Sequence, residues 1–143
     1  MTPTESTLRR TPLFQEHERL GARFAPFAGF QMPLNYPEGQ VAEHTAVRTR
    51  AGIFDVSHMG QVRLTGAGVV DFLAWLVPGN VRRLVDGKSL YTMLCNANGG
   101  VQDDLIFTRL GEEEFFAVIN AATAAADIDW IRDRAADYGF SGD

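Results

Sequence analysis

The chain has 143 residues, 45% hydrophobic and 22% charged, with ten Phe and two Trp; this length and balance fit one globular domain of ordinary size and exclude a disordered, collagenous or coiled-coil chain. A net charge of −5, with thirteen scattered Lys and Arg residues, leaves no electrostatic footprint for a phosphate backbone and sets nucleic acid aside as a partner. The single cysteine, Cys95, cannot form an internal disulfide, no apolar run approaches the roughly 18 residues a membrane helix needs, and the polar stretch Met1 to Arg10 has no signal-peptide core; the expected setting is cytoplasmic, away from membranes.

Residues 1–10 read as a flexible lead-in and 11–143 as the folded part. Thr11 is expected to cap a helix with Pro12 at its first position and Gly21 just past its end, and Leu13, His17 and Leu20 would share one face. Residues 26–39 hold Pro26, Gly29, Pro33, Pro37 and Gly39 among large apolar side chains, too punctuated for an element and too apolar for a solvated loop, so they are expected to lie against a surface and cover it. Gln40 to Ala51 reads as a helix ended by Gly52, and Ile53 to Leu64 as a strand with Gly60 as a bulge. Val69, Phe72, Leu73 and Leu76 fall at helical spacing between Gly66 and Val77, before the stop at Pro78.

Two strand-like runs, Leu90 to Asn96 and Val101 to Arg109, flank an Asn98-Gly99 hairpin signal. Phe115 to Asn120 is a further strand, and a helix capped by Thr123 carries Ile128, Ile131, Ala135 and Tyr138 as its apolar stripe. Helices interleaved with antiparallel pairs predict an α+β fold, a largely antiparallel sheet with packed helices. The chain stops at Asp143 with nothing resembling a closing strand, as a front portion of a longer fold would.

Gly66-Ala67-Gly68 opens a helix, but Asp71 stands where a dinucleotide fingerprint needs its third glycine, and a carboxylate there would face the pyrophosphate. His17, His44 and His58 have no metal-ligand spacing among themselves or with Cys95, so no metal site is expected. Cys95 has no Lys or Arg beside it to favour the thiolate and reads as a small core residue; a nucleophilic role remains open only through an approach of His58 in space. Asp103 and Asp104 are more informative. As strand neighbours they point to opposite faces and cannot act as a catalytic pair. With a two- or a four-residue loop at Asn98-Gly99, Tyr91 opposes Ile106, Met93 opposes Asp104 and Leu94 opposes Asp103, which puts Tyr91 and Asp104 on one face. The local pattern leaves two readings: a solvated strand acid, or a carboxylate presented to a flat, polar, partly apolar ligand.

Several strings resemble the aminomethyltransferase family of the glycine cleavage system, the T-proteins: Thr11-Pro12-Leu13-Phe14, Phe27-Ala28-Gly29-Phe30-Gln31-Met32-Pro33-Leu34, Ala46-Val47-Arg48, Gly52-Ile53-Phe54-Asp55-Val56-Ser57-His58-Met59-Gly60, Asn98-Gly99-Gly100-Val101-Gln102-Asp103-Asp104-Leu105 and Val118-Ile119-Asn120-Ala121. They run in family order along almost the whole chain. One departure is Phe30, where the family usually has Trp; the aromatic ring is kept and the indole donor lost.

The resemblance implies an enzyme that takes the aminomethyl group from the lipoyl arm of a partner H-protein, passes the one-carbon unit to tetrahydrofolate and releases ammonia. It implies the front part of a three-domain, ring-shaped fold with folate in the central cavity. Asp104 takes the place of the family's catalytic acid, and Met59, Tyr91, Val118 and Asn120 take the places of its folate contacts. An ordinary Asp is ionised near neutral pH, so Asp104 would act on a carbon that becomes electron-poor by electrostatics and orientation, with proton relay second. Tyr91 and Met59 would supply flat and adaptable apolar contact, and Asn120 a donor and acceptor. Residues 1–143 supply one wall of such a cavity and alone are expected to be inactive. Two alternatives share the same platform: a folate-dependent demethylase or methylene transferase with another donor, and a non-catalytic folate-binding relative.

Overall fold

The computed structural model describes residues 8–143. It divides into two compact units, one reaching as far as His58 and the other spanning Met59–Asp143, where length alone suggested a single domain.

In the first unit, Arg9 forms a parallel bridge to Phe30, donating to the Gly29 carbonyl at 2.9 Å and accepting from the Gln31 amide at 2.8 Å. The rest of the expected lead-in, 1–7, lies outside the described residues. Helix α1 is Phe14–Arg19, shorter than expected, because the Thr11 carbonyl takes the Phe14 amide in a turn through Pro12 and Leu13 and the Thr11 side chain makes no cap. The buried face of α1 is Phe14 and His17, while Leu13 and Leu20 stay largely exposed, so the predicted apolar stripe is corrected. The stretch expected to be an irregular cover is a hairpin, β1 (Arg23–Phe27) with β2 (Phe30–Asn35). Its two-residue turn puts Ala28 at φ 49° and Gly29 at φ 79°, the left-handed pair that matches strand twist. Pro26 and Pro33 are tolerated because a two-stranded ribbon consists only of edges. Helix α2 is Gln40–Thr49. The strand expected from Ile53 does not start there: residues 51–56 have no regular structure, with Ile53 and Phe54 exposed.

The second unit is a four-stranded antiparallel sheet of β3 (Gly60–Thr65), β4 (Ser89–Cys95), β5 (Val101–Gly111) and β6 (Glu114–Ile119), in the order β3-β6-β5-β4. Helices α3 (Val69–Leu76) and α4 (Ala124–Tyr138) complete it, and the fold class is α+β as predicted. All four stripe residues of α3 are buried, as their spacing requires, against a sheet face that includes Leu94, Leu105, Phe107 and Phe115. Helix α4 buries Ile131 with Ile128 and Ala135 beside it, and Gly139 at φ 81° ends it. After it, Asp143 and Thr65 exchange two backbone hydrogen bonds along the free edge of β3, so the last residues do add a short edge pair.

Gly60 is not a bulge, since the β3–β6 register runs through it without a shift. It is a packing glycine: a Cβ there would stand 2.5 Å from Ile119 Cγ1 and 2.9 Å from Ala124 Cβ. Gly60→Val should therefore destabilise the second unit by about 1–3 kcal/mol through overpacking, read as a lower urea midpoint at unchanged slope. A wild-type midpoint would show that α4 yields without cost.

Candidate functional site

The open face of the second unit's sheet brings the five site residues expected from sequence together. The β4–β5 register pairs Tyr91 with Ile106, Met93 with Asp104 and Leu94 with Asp103, as read from the sequence. The loop differs: Asn96 and Gly100 close it at 2.9 Å with three residues between them, and the register shifts at Cys95 to absorb the odd residue. Asn96 Oδ1 accepts from the amides of Asn98 and Gly100, both at 3.0 Å, and stiffens the turn. In β6, Leu105 faces Ile119 and Ile106 faces Val118, while in β3 Gly60 faces Ile119. Continuing each register by one residue places Met93, Asp104, Asn120 and Met59 in one row across the sheet. Tyr91, Ile106, Val118 and Gln61 form the next row on the same face. Met93 and Ile106 share this face with the five through the register read from sequence, and Gln61 is the addition, which the β3–β6 register brings there.

Tyr91 is 67% exposed and donates its hydroxyl to Asp104 Oδ2 at 2.8 Å. That hydrogen bond, followed by the negative charge of Asp104, raises the Tyr91 hydroxyl above its ordinary value and keeps it a donor. Asn120 follows the last residue of β6 and continues the ladder with its side chain: Nδ2 donates to the Asp104 carbonyl at 3.1 Å and to Asp103 Oδ1 at 2.8 Å. These two acceptors fix which way the amide points. The amide oxygen therefore faces away from them, free to accept from a ligand. Val118 and Met59 are half-buried beside this group.

Asp103 points to the other face, towards the start of α4. Its Oδ1 also accepts the Asp104 amide at 2.9 Å, and its Oδ2 takes the hydroxyl of Thr123. Thr123 stands at the N-cap position of α4 as expected, yet it caps none of the helix amides with its side chain, because Asp103 holds the hydroxyl. Burial acts to raise the Asp103 carboxyl, but hydrogen bonds from Thr123, Asp127, Asn120 and the Asp104 amide outweigh it and hold the group below its usual range. Asp127 is only 4% exposed, and burial first, then its hydrogen bond with Asp103 and that group's charge, push its carboxyl up to about 6. No spacing rule in the sequence links Asp127 to Asp103, twenty-four residues earlier.

Cys95 is half-buried at the end of β4 in a cleft lined by Trp75, Leu76, Asn96, Ala97, Trp130 and Arg134. No histidine lines that cleft. His58 belongs to the first unit, where its ring meets Phe27 at 5.5 Å and Phe30 at 6.2 Å, edge to face. Phe30, the departure from the family pattern, also lies under the Arg9 guanidinium at 4.1 Å. In the same unit, His17 Nε2 donates to Asp55 Oδ2 at 2.9 Å, and its Nδ1 shares a hydrogen bond with Tyr36 Oη at 2.8 Å. Burial works against the Asp55 charge, but its polar neighbours Thr11, His17 and Ser57 prevail and hold the carboxyl well below the carboxylate range. Among the described residues, no group of three or more His, Cys, Asp or Glu is placed to hold a metal ion, and no helix is long and apolar enough to cross a membrane.

Fold and face together define an antiparallel α+β module that presents a carboxylate, an amide and an aromatic ring on one open sheet surface. Residues 13–141 match the family described as the GCVT N-terminal domain, and the chain belongs to that family. It is 47% identical over 136 residues to the aminomethyltransferase of Saccharopolyspora erythraea, covering 95% of this chain and 37% of that protein. It is 53% identical over 126 residues to that of Ralstonia nicotianae, covering 87% and 33%. The crystal structure of glycine cleavage system aminomethyltransferase T from Bartonella henselae superposes with a TM-score of 0.83 at 44% identity, covering 90% of this chain and 36% of that one. The chain spans about a third of the length of the curated relatives it matches.

The raised Asp127 carboxyl makes the native state bind a proton that the unfolded chain, with an ordinary value of 3.8, has already released. Its contribution to stability is therefore full below 3.8 and lost as pH rises through about 6. Asp127→Asn removes this dependence. Relative to wild type, the variant should gain about 1 kcal/mol between pH 5 and pH 8, measured by urea denaturation at both values. A constant difference between the two proteins would refute the assignment.

Proposed function

We propose that this chain is the front part of a tetrahydrofolate-dependent aminomethyltransferase of glycine cleavage, acting in the cytoplasm on the aminomethyl group carried by a lipoylated H-protein and releasing ammonia. The observation that supports this most is the hydrogen-bonded group of Tyr91, Asp104 and Asn120 on one sheet face, at the positions where the resemblance puts the catalytic acid and the folate contacts. The donor set fits a reduced pterin. A flat heterocycle with N–H groups at its edge asks for acceptors in a plane beside apolar contact, and here the Asp104 carboxylate and the Asn120 amide oxygen stand beside Tyr91, Val118 and Met59.

Each residue then has a definable task. When bound, tetrahydrofolate supplies the nitrogen nucleophile that accepts the one-carbon unit. Asp104 holds the ring in line and offsets the positive charge that grows at the transferred carbon as ammonia departs, a preorganised electrostatic contribution. Tyr91 keeps its proton and fixes the Asp104 carboxylate, while its ring gives one apolar contact surface. Asn120 accepts from the ring edge, and Met59 and Val118 exclude water beneath it.

Asp104→Asn keeps volume and removes the charge. In the complete protein, transfer from loaded H-protein should fall by roughly 10² or more with folding intact. Asp103→Asn should cost far less, because its side chain points to the other face and the amide oxygen of Asn can still accept from the Asp104 amide and Asn120; equal losses would sink the assignment of the acid. Cys95→Ser should leave transfer intact, and a folded but inactive variant would point to a covalent route instead. Dependence of the activity on the lipoylated H-protein separates this reading from a relative with another methyl or methylene donor.

The face is open, and a ligand lying on it would have water on its outer side. Small ligands draw affinity from burying most of their surface in a concave site. Residues 1–143 alone are therefore expected to bind tetrahydrofolate only weakly and to give no turnover, by calorimetry and a coupled assay; micromolar binding with turnover would show that one wall suffices.

A further inference from the structure

The acid pair behind the sheet has no task in the mechanism above, yet its contacts lead to the proposed reacting face. Asp104 is gripped at both of its backbone groups. Its amide donates to Asp103 Oδ1 at 2.9 Å, and its carbonyl accepts from Asn120 Nδ2 at 3.1 Å. The same Asn120 nitrogen donates to the same Asp103 oxygen at 2.8 Å. One oxygen of Asp103 thus sets where Asp104 sits and how Asn120 is turned. The other oxygen is held from α4 by Thr123, and Asp127, one helical turn further along, lies 96% out of solvent against Asp103. Asp127 Oδ2 has no hydrogen-bond partner. A buried, half-satisfied carboxyl is costly where it has no function, because an apolar residue of similar size would pack there without that penalty.

We propose that Asp127 is a positioning residue for the folate face: by donating a proton to Asp103 it fixes the carboxylate on which both Asp104 and Asn120 depend, and when it ionises it repels that same carboxylate and loosens the face. This inference rests on the proposed function, in which Asp104 and Asn120 touch the ligand. Asp103 on β5 is the charged group acting on Asp127 among the described residues; Thr123 faces it from its own helix, and Asn120 adjoins the pair from the end of β6. The direction follows from these neighbours. Protonation of Asp127 replaces a like-charge contact by a hydrogen bond, so the ordered arrangement belongs to the acid side of the transition near pH 6.

The test uses the full-length protein with aminomethyl-loaded H-protein and tetrahydrofolate, following kcat and KM from pH 5 to 9, beside NMR of the Asn120 side-chain amide. Wild type should show an inflection near pH 6 in kcat and a shift of the Asn120 amide resonances through the same range. Asp127→Leu should lower kcat by roughly 10-fold or more, as small displacements of a reacting group do, with KM for tetrahydrofolate moved less. Asp127→Asn, whose amide still donates to Asp103, should recover most of that rate while losing both the kcat inflection and the pH shift of the amide. A wild-type kcat and pH profile in Asp127→Leu overturns the proposal, as does an Asn120 amide that titrates unchanged in Asp127→Asn. If Asp127→Leu does not fold, the Asp127→Asn comparison decides alone. Asp104→Asn is measured in parallel: if it is inactive while the Asp127 variants are silent, only the role of the pair falls, whereas full activity of Asp104→Asn removes the site reading and this role with it.

Discussion

Adjacent residues on a strand point to opposite faces, and at Asp103 and Asp104 that constraint sends one carboxylate to the open surface and the other into the layer between sheet and helix. Asp103 is half-buried there, and a carboxylate drawn that far from solvent needs partners. Here the partners come from three directions: its own chain through the Asp104 amide, β6 through Asn120, and α4 through Thr123 and Asp127. The hydrogen bonds that make this half-buried charge tolerable are also the ones that hold the outward residue in place. The solvation problem of Asp103 and the placement of Asp104 have one solution.

What the sequence could reveal follows from how local each determinant is. The pairing of Tyr91 with Ile106 and of Met93 with Asp104 was legible because an Asn-Gly turn fixes register at short range, and a miscounted loop was absorbed by the shift at Cys95. The stripe of α3 was legible because its burial has helical period. The first hairpin was not, since Ala28 rather than Asn or Gly takes the first left-handed turn position and two prolines interrupt the alternation. Ile53, Phe54 and Val56 look like strand residues by composition, but the segment pairs with no strand and leaves them exposed. The tie between Thr123 and Asp103 joins residues twenty apart and belongs to the packing of α4 on β5, where propensity says nothing.

The first unit solves a different problem. Its irregular segment 51–58 has no ladder to hold it, so side chains do. Asp55 folds back on the Ser57 amide at 2.9 Å and reaches His17, which in turn meets Tyr36 at the end of the first hairpin. One imidazole with both nitrogens engaged therefore joins a helix, a hairpin and a loop, and its position on α1 explains why the helix buries Phe14 and His17 rather than the leucines. The Tyr36 hydroxyl is raised by burial, then by the charges of Glu43 and Asp55, so it remains a protonated member of this chain of contacts. A histidine that sequence reading placed on an apolar face is a structural joint.

Tyr91 carries more than its expected part as a flat surface. A carboxylate offers about four lone-pair directions, and the Tyr91 hydroxyl occupies one of those on Asp104 Oδ2, which leaves Oδ1 with only a 3.4 Å approach from Asn120 Nδ2. The hydrogen bond thus selects the oxygen a ligand would meet and fixes the plane in which it is offered. Removing the ring would cost apolar contact, whereas removing only the hydroxyl would leave the contact and free the carboxylate to rotate. In the proposed mechanism the second loss is the one that reaches the transition state, because a charge stabilises a developing charge only from a held position. Such a carboxylate lies between a protonated phenol in front and an acid pair behind, with its main chain fixed from the back and its side chain from the front.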